Sequence, residues 1–294
     1  MERFTGGLYV QRPIIYNELN GDAVGRGQAF NIDYVPTDTA LVNNLAVYYV
    51  NISLYGFDSM LNDGPQAIFS QVETKFQNAA LKMAKLLATN MYLSNQVAGR
   101  SLHMDGLPQW YDDGTLVPAV GGITRANIMP VGTVGGLNAF TSNQGAGAFT
   151  LQSLNTAYGN AWFGADHPDL VVATQNGWNF IWNGLQPQQR YYDTESDVAT
   201  TGFQSFRFNG SEVVIDKYMP TGVGTLGTGF GGVMYGINTK YVEWYFSTNP
   251  KFQFGFTGLK ENSNSIDVSG QVLVGSDLVV PNPRTGFKLL NSNF

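Results

Sequence analysis

Residues 64–93 read GPQAIFSQVETKFQNAALKMAKLLATNMYL, and the spacing of their apolar side chains sets the scale of the fold. Ile68, Val72, Phe76, Ala79, Met83, Leu86 and Leu87 recur at intervals of three and four, which is one face of an α-helix. Lys75, Gln77, Lys82 and Lys85 fall off that stripe. Gly64-Pro65 places a proline at the first helical position, where its missing N–H costs nothing. Carried to Leu93, the helix has about 29 residues and spans about 43 Å at its rise per residue. That is well beyond the usual helix length and suits a structural spine better than a compact enzyme.

Upstream of the helix the period changes to two. Phe30, Ile32 and Tyr34 alternate with Asn31 and Asp33, and Val50, Ile52 and Leu54 alternate with Asn51 and Ser53. Pro36-Thr37-Asp38 between them is turn chemistry, so the pattern predicts a long β-hairpin over residues 26–54. A lone two-stranded ribbon is marginal in water. It must lie on the body of the molecule or on a neighbour, which makes Arg26, Phe30, Ile32, Tyr34, Val50, Ile52 and Leu54 the candidate inter-subunit contacts.

Downstream, residues 100–147 are turn-rich, with Gly121-Gly122, Gly135-Gly136 and Gly145-Ala146-Gly147. Thr150 is placed as an N-cap, with Leu151, Leu154, Tyr158 and Trp162 on one helical face. Asp169-Leu170-Val171-Val172-Ala173 reads as a short buried strand, and Trp178, Ile181, Trp182 and Leu185 mark a second short helix. Phe206 and Phe208 alternate up to Asn209-Gly210, with Val213 and Ile215 beyond, a strong hairpin signal. Strands around residues 241–246, 252–256 and 272–280 close the chain. The fold class is α+β, without an internal repeat.

Composition narrows the function. Charged residues are only 13% of the 294 against 43% hydrophobic, roughly half the usual charged share. Either other protein covers much of the surface or the domain is β-rich with a neutral polar exterior. The 35 glycines are spread along the chain and imply many turns. The net charge is −6 and no basic cluster offsets it, which argues against a dedicated nucleic-acid binder. The chain has no cysteine, which removes disulfides, thiolate metal sites and thiol nucleophiles together. No apolar run marks a signal peptide or a membrane span.

The searches for chemistry return little. His103 and His167 sit in loops without metal-ligand spacing, and no nucleophile elbow is present. Asp112-Asp113 before Gly114 reads as a solvated turn. Gly222-Val223-Gly224-Thr225-Leu226-Gly227 matches the dinucleotide fingerprint formally, with Glu243 near the acidic position. Met219-Pro220-Thr221 precedes it and Thr228-Gly229-Phe230-Gly231-Gly232 follows, which cannot open the required helix, so a surface loop is the better reading. No catalytic, cofactor or metal site is assigned, and no cofactor is expected.

Several phrases in consistent order resemble the major capsid proteins of tailed bacteriophages with the Hong Kong 97 (HK97-like) fold. Gly6-Gly7 with Pro13-Ile14-Ile15-Tyr16 looks like that family's N-terminal arm. Gly121-Gly122-Ile123-Thr124-Arg125-Ala126 is similar to the passage that follows its spine helix. Pro168 through Thr174, Leu185 through Arg190, Gly202 through Gly210, and Asn238-Thr239-Lys240-Tyr241 resemble further family phrases. The glycine-rich residues 222–232 and Glu243-Trp244-Tyr245 depart from the family pattern.

The resemblance implies an N-terminal arm (1–25), an extended β-hairpin loop (26–63) and a peripheral domain with the spine helix (64–116). An axial domain (117–236) and the second part of the peripheral domain (237–294) complete it. It implies self-assembly through hexamers and pentamers into an icosahedral head enclosing double-stranded DNA, which is contacted weakly and non-specifically. Portal protein and a scaffold or decoration protein are expected partners, with no membrane involved. The expected location is the virion, after assembly in the bacterial host cytoplasm. No large scaffolding segment is evident before the arm. An encapsulin-like protein compartment, or at a distance a dinucleotide-binding enzyme, is the alternative. Some members of the family weld their subunits through a lysine in the extended loop. Here the first lysine is Lys75, so a shell without covalent links is expected.

Overall fold

The computed structural model describes residues 2–7, 9–17, 19–56, 65–96, 99–125, 128, 137–143, 150–185, 206–219, 234–261, 263 and 266–290. The glycine-rich stretches at 135–136, 145–147 and 222–232 lie outside the described residues, as do positions 186–190 and 202–205 of the family phrases.

The chain begins β1 (Glu2–Phe4), β2 (Val10–Ile15), β3 (Asp38–Asn43), β4 (Ala46–Leu54), α1 (Pro65–Met91), α2 (Leu107–Trp110), β5 (Ala119–Val120), β6 (Ile123–Thr124) and β7 (Phe140–Asn143). It continues α3 (Leu151–Ala161), β8 (Leu170–Ala173), α4 (Gln175–Leu185), β9 (Phe206–Phe208), β10 (Ser211–Ile215) and β11 (Met234–Ile237). Last come β12 (Glu243–Ser247), β13 (Gln253–Phe256), β14 (Lys260–Glu261), β15 (Val268–Val279) and β16 (Phe287–Leu290).

β15 organises the first sheet. β4 pairs antiparallel with it from Val268↔Leu54 to Ser276↔Ala46. Along its other edge β12, β13 and β14 follow one another, and β1 adds in parallel outside β12. The spine helix α1 lies on this sheet. Its expected stripe is the buried one: Ala79, Met83 and Leu87 are buried, and Met83 and Leu87 share a cluster with Ala46, Tyr48 and Val274. Phe76 meets Phe256 edge to face at 4.7 Å. With helix residues at this spacing and strand residues alternating, one apolar face of each element is removed from water.

The second sheet runs β7-β16-β11-β8-β10-β9. α3 and α4 cover one face, with Leu154, Tyr158, Trp178 and Ile181 against Val171, Ala173, Val213 and Phe287. Val172 points the other way, into the core shared with Leu278 and Val279 of the first sheet. β8 is therefore buried on both faces, which is why its sequence is an unbroken apolar run. Thr150 caps α3 with a reciprocal box to Ser153, and Asn209-Gly210 turns β9 into β10 at φ of 50° and 88°, as its type I′ signature demands.

Two placements differ from the sequence reading. β16, near the C-terminus, joins the second sheet between β7 and β11, whereas a boundary at residue 237 assigns it to the other unit. Phe287 and Leu289 fill the α3–α4 side of that sheet, a partnership that the apolar run Phe-Lys-Leu-Leu cannot specify by itself. Asp112 is not solvated either. It is fully buried while Asp113 stays exposed.

Candidate functional site

The hairpin expected over residues 26–54 is not the one present. β3 pairs with β2, from Val10↔Asn43 to Ile15↔Asp38, and the amide of Tyr16 donates to Thr37 O at 2.9 Å. Beyond that rung, side chains continue the register. Asn17 Nδ2 donates to Pro36 O at 3.5 Å and Asn20 Nδ2 to Asp33 O at 3.2 Å. The Gln28 amide donates to Gly25 O at 3.1 Å, and the Gly25 amide donates to Gln28 Oε1 at 2.9 Å. Arg26-Gly27 is thus the tip, with Gly27 at φ 86°. Pro36-Thr37-Asp38 is not a turn but the re-entry into the ladder. From Tyr16 to the tip the chain reaches at most about 36 Å.

This projecting loop carries its apolar side chains in the open. Phe30, Ile32 and Tyr34 are 76%, 90% and 89% exposed, and Ile15 and Leu19 are exposed as well. Val50, Ile52 and Leu54 are elsewhere, in β4 against β15, and Ile52 is buried in its own chain. The seven candidate contacts therefore divide. Arg26, Phe30, Ile32 and Tyr34 share the loop, and the three β4 residues do not.

The root of the loop is fixed from below. Val10, Ile14 and Leu41 enter the central core, and Arg12 pairs with Glu243 at 2.6 Å. That pairing engages the one acidic residue at dinucleotide-like spacing. The β5–β6 turn docks on β3, where the Val42 amide donates to Gly121 O at 2.8 Å. Gly121 has φ 57°, and a Cβ there would stand 2.7 Å from Leu41 Cδ2. Backbone and space both require glycine at this position.

The Gly121-to-Ala126 phrase also delivers Arg125, 1% exposed, to the centre of the molecule. Its Nε donates to Val117 O at 2.9 Å, Nη1 to the carbonyls of Asp112 and Leu137, and Nη2 to those of Gln109 and Trp110. All five guanidinium N–H groups are thereby used. Beside it Lys288 Nζ donates to Asp112 Oδ1 at 3.0 Å and to Pro108 O. Asp112 Oδ2 accepts the amides of Gly114, Leu116 and Val117. Burial pushes the Asp112 carboxyl up, but Lys288, the Val117 amide and Arg125 outweigh it and hold it below its ordinary value.

In a second centre no cation among the described residues pairs with the carboxyls. Asp277 of β15 accepts the amide of Asp105 at 3.3 Å, and its Oδ2 has no hydrogen-bond partner. Asp105 accepts from Asn43 at 2.8 Å and from Asn95, beside a cleft that Asn43, Asn95, His103 and Gln109 also line. Burial pushes Asp105 up to about 6 against the opposing hydrogen bonds of Gln109 and Asn95. Burial, and then the neighbouring Asp105, holds Asp277 well above the carboxylate range. With Asp277 buried and Asp105 half-buried beside it, the two carboxyls do not readily ionise together. The pair joins the loop root (Asn43), the end of the spine (Asn95) and the central strand.

Neither histidine forms a reactive constellation. His103 lies 5.8 Å from the Tyr48 ring. His167 joins Tyr158 Oη and Pro168 O, and Ser211 Oγ approaches the same oxygens. Ser211 is completely buried, so this network clamps α3 to the β10 strand. Among the described residues no group of acidic or histidine side chains is set to hold a metal, and no helix is long and apolar enough to cross a membrane. The glycine-rich fingerprint at 222–227 lies outside the described residues.

No model of a known protein family matches the chain, and no curated protein matches it. Solved structures match it over most of its length. The capsid of cyanophage A-1(L) aligns with 97% of this chain and 88% of its own, at TM-score 0.65 and 14% identity. The capsid of a native GTA particle aligns with 99% of this chain and 87% of its own, at TM-score 0.62 and 10% identity. The SrpI encapsulin of Synechococcus elongatus aligns with 88% of this chain and 77% of its own, at TM-score 0.58 and 13% identity. The fold, with its rooted loop, spine helix and two sheets, is shared with these three solved structures. It is the HK97-like fold.

Proposed function

We propose that this chain is the major capsid protein of a tailed bacteriophage, assembling through hexamers and pentamers into an icosahedral head around double-stranded DNA. The observation that carries the reading is the projecting loop. Phe30, Ile32 and Tyr34 stand exposed on a hairpin rooted in the core, in a chain with the fold of solved capsids. An apolar row on a thin ribbon is a liability for an isolated monomer and an anchor once a neighbour covers it. A loop that reaches onto the next copy makes a head-to-tail contact, and such contacts close into rings.

In this reading Arg26, Phe30, Ile32 and Tyr34 are the loop's inter-subunit contacts, while Val50, Ile52 and Leu54 support it from within the chain. We keep the division into arm, loop, peripheral domain and axial domain as part of the proposal with two changes: the loop is the excursion between β2 and β3, and β16 goes with the 117–236 unit. Partners are further copies, a portal protein and a scaffold or decoration protein. No catalytic activity is assigned. The location is the virion, after assembly in the host cytoplasm.

The encapsulin match supports a second reading, a protein compartment with protein cargo. Gel filtration and analysis of contents separate the two. Particles from the natural source that elute at the void and hold nuclease-protected DNA support the head. DNA-free particles with a protein cargo support the compartment, and a stable monomer or dimer contradicts both.

A further inference from the structure

We infer that the groove between α1 and β4 is a phosphodiester-binding site, filled by the backbone of a nucleic acid without regard to its sequence. The groove is a cleft of about 390 Å³ lined by Val50, Asn51, Ile52, Ser53, Lys75, Asn78, Ala79 and Lys82. Two ammonium groups and two carboxamides face it, and no acidic residue lines it. Lys75 Nζ donates to Ser53 O, which holds it over the strand edge with two further N–H donors left for a ligand. Lys82 lies two helical turns on and is exposed. The two positions are about 10 Å apart along the axis, about three nucleotide steps of one strand.

The charge pattern is what separates this groove from an ordinary solvated helix face. Exposed helices usually mix signs at neighbouring turns. On α1, Lys75, Lys82 and Lys85 are accompanied by Glu73 alone, and β4 carries no charge, in a chain whose net charge is −6. On β15 the one acidic residue, Asp277, lies beyond Ala46 at the far end of β4, while Asp267 and Glu261, near the Leu54 end, stand outside the groove's lining. A local cationic groove on an acidic protein gives weak, salt-sensitive attachment, because the rest of the surface repels the same polymer.

The inference deepens the shell reading by naming the contact to the contents, yet it is measured on free subunits. A chain that builds shells but fails the following test fails here alone. Anisotropy of a labelled duplex of about 40 base pairs is titrated with the full chain at several salt concentrations. Two unrelated duplexes are expected to bind alike. In Lys75→Gln/Lys82→Gln the slope of log K against log salt should become shallower by about 2, and in Lys82→Gln alone by about 1. Lys251→Gln should leave the slope unchanged. Equal slopes in wild type and double variant would overturn the site. So would displacement of the duplex by inorganic phosphate at matched ionic strength, which would mark a free-anion pocket. Displacement by less polyglutamate than competing DNA would also overturn it, marking an acidic protein partner instead.

Discussion

Asp277 is a buried carboxyl that no cation among the described residues pairs, and the loop's joint should therefore respond to pH. A carboxyl whose value is raised on folding holds a proton that the unfolded chain releases. Stability is therefore greatest below the unfolded value, near 4, and falls as pH rises through the window up to the folded value, about 6 for Asp105. Asp112 works in the opposite sense. Its lowered value contributes stability at neutral pH that is lost as pH falls through the folded value. Asp277→Asn keeps an acceptor for the Asp105 amide and removes the ionisable group. At pH 7 the variant should be more stable than the wild type by about 1–3 kcal/mol, with the gain fading by pH 4. Urea unfolding at the two values checks this, and a variant that is less stable at pH 7 would show that the Asp277 charge is answered after all. None of this was visible in the chain, where Asp112-Asp113 looked like a solvated turn. Lys288 and Arg125, which bury Asp112, are remote or unremarkable in sequence.

Elements were legible in proportion to their periodicity. The stripe of α1, the cap at Thr150, the Asn209-Gly210 turn and the run of β8 each carry their own local signal, and all stand as expected. The loop did not, because alternation identifies a strand without identifying its partner. Val50 and Ile52 alternate in order to face α1 while β4, Leu54 included, pairs with β15, more than two hundred residues away. Phe30, Ile32 and Tyr34 alternate on a ribbon held by asparagine side chains. Replacing residues 27–50 would remove β3 and half of β4, and so would damage the core. Replacing residues 17–36 by a short Gly-Ser turn should instead leave circular dichroism and unfolding unchanged within about 1 kcal/mol, since all its described residues but the half-buried Asn17 and Val35 are exposed. The same excision should abolish particles in the electron microscope. Normal particles from it would remove the loop from any role in assembly.

At the scale of the whole molecule, a chain poor in charge and rich in apolar surface becomes sensible when most of its faces meet other copies. The arm and loop supply no lysine or cysteine nucleophile for a covalent link. The first lysine is Lys75, the loop's long cation is Arg26, and cysteine is absent. Mature particles boiled in detergent should give one band near 32.1 kDa, whereas a ladder of covalent pentamers and hexamers would show chemistry that these residues do not explain. The central claim is that the loop of one subunit lies on the next. A cryo-electron microscopy map of assembled particles tests it most directly. The account predicts closed rings of five and six in which Phe30, Ile32 and Tyr34 are buried against the adjacent subunit. Rings in which those side chains face solvent, or lie back on their own chain, would contradict it.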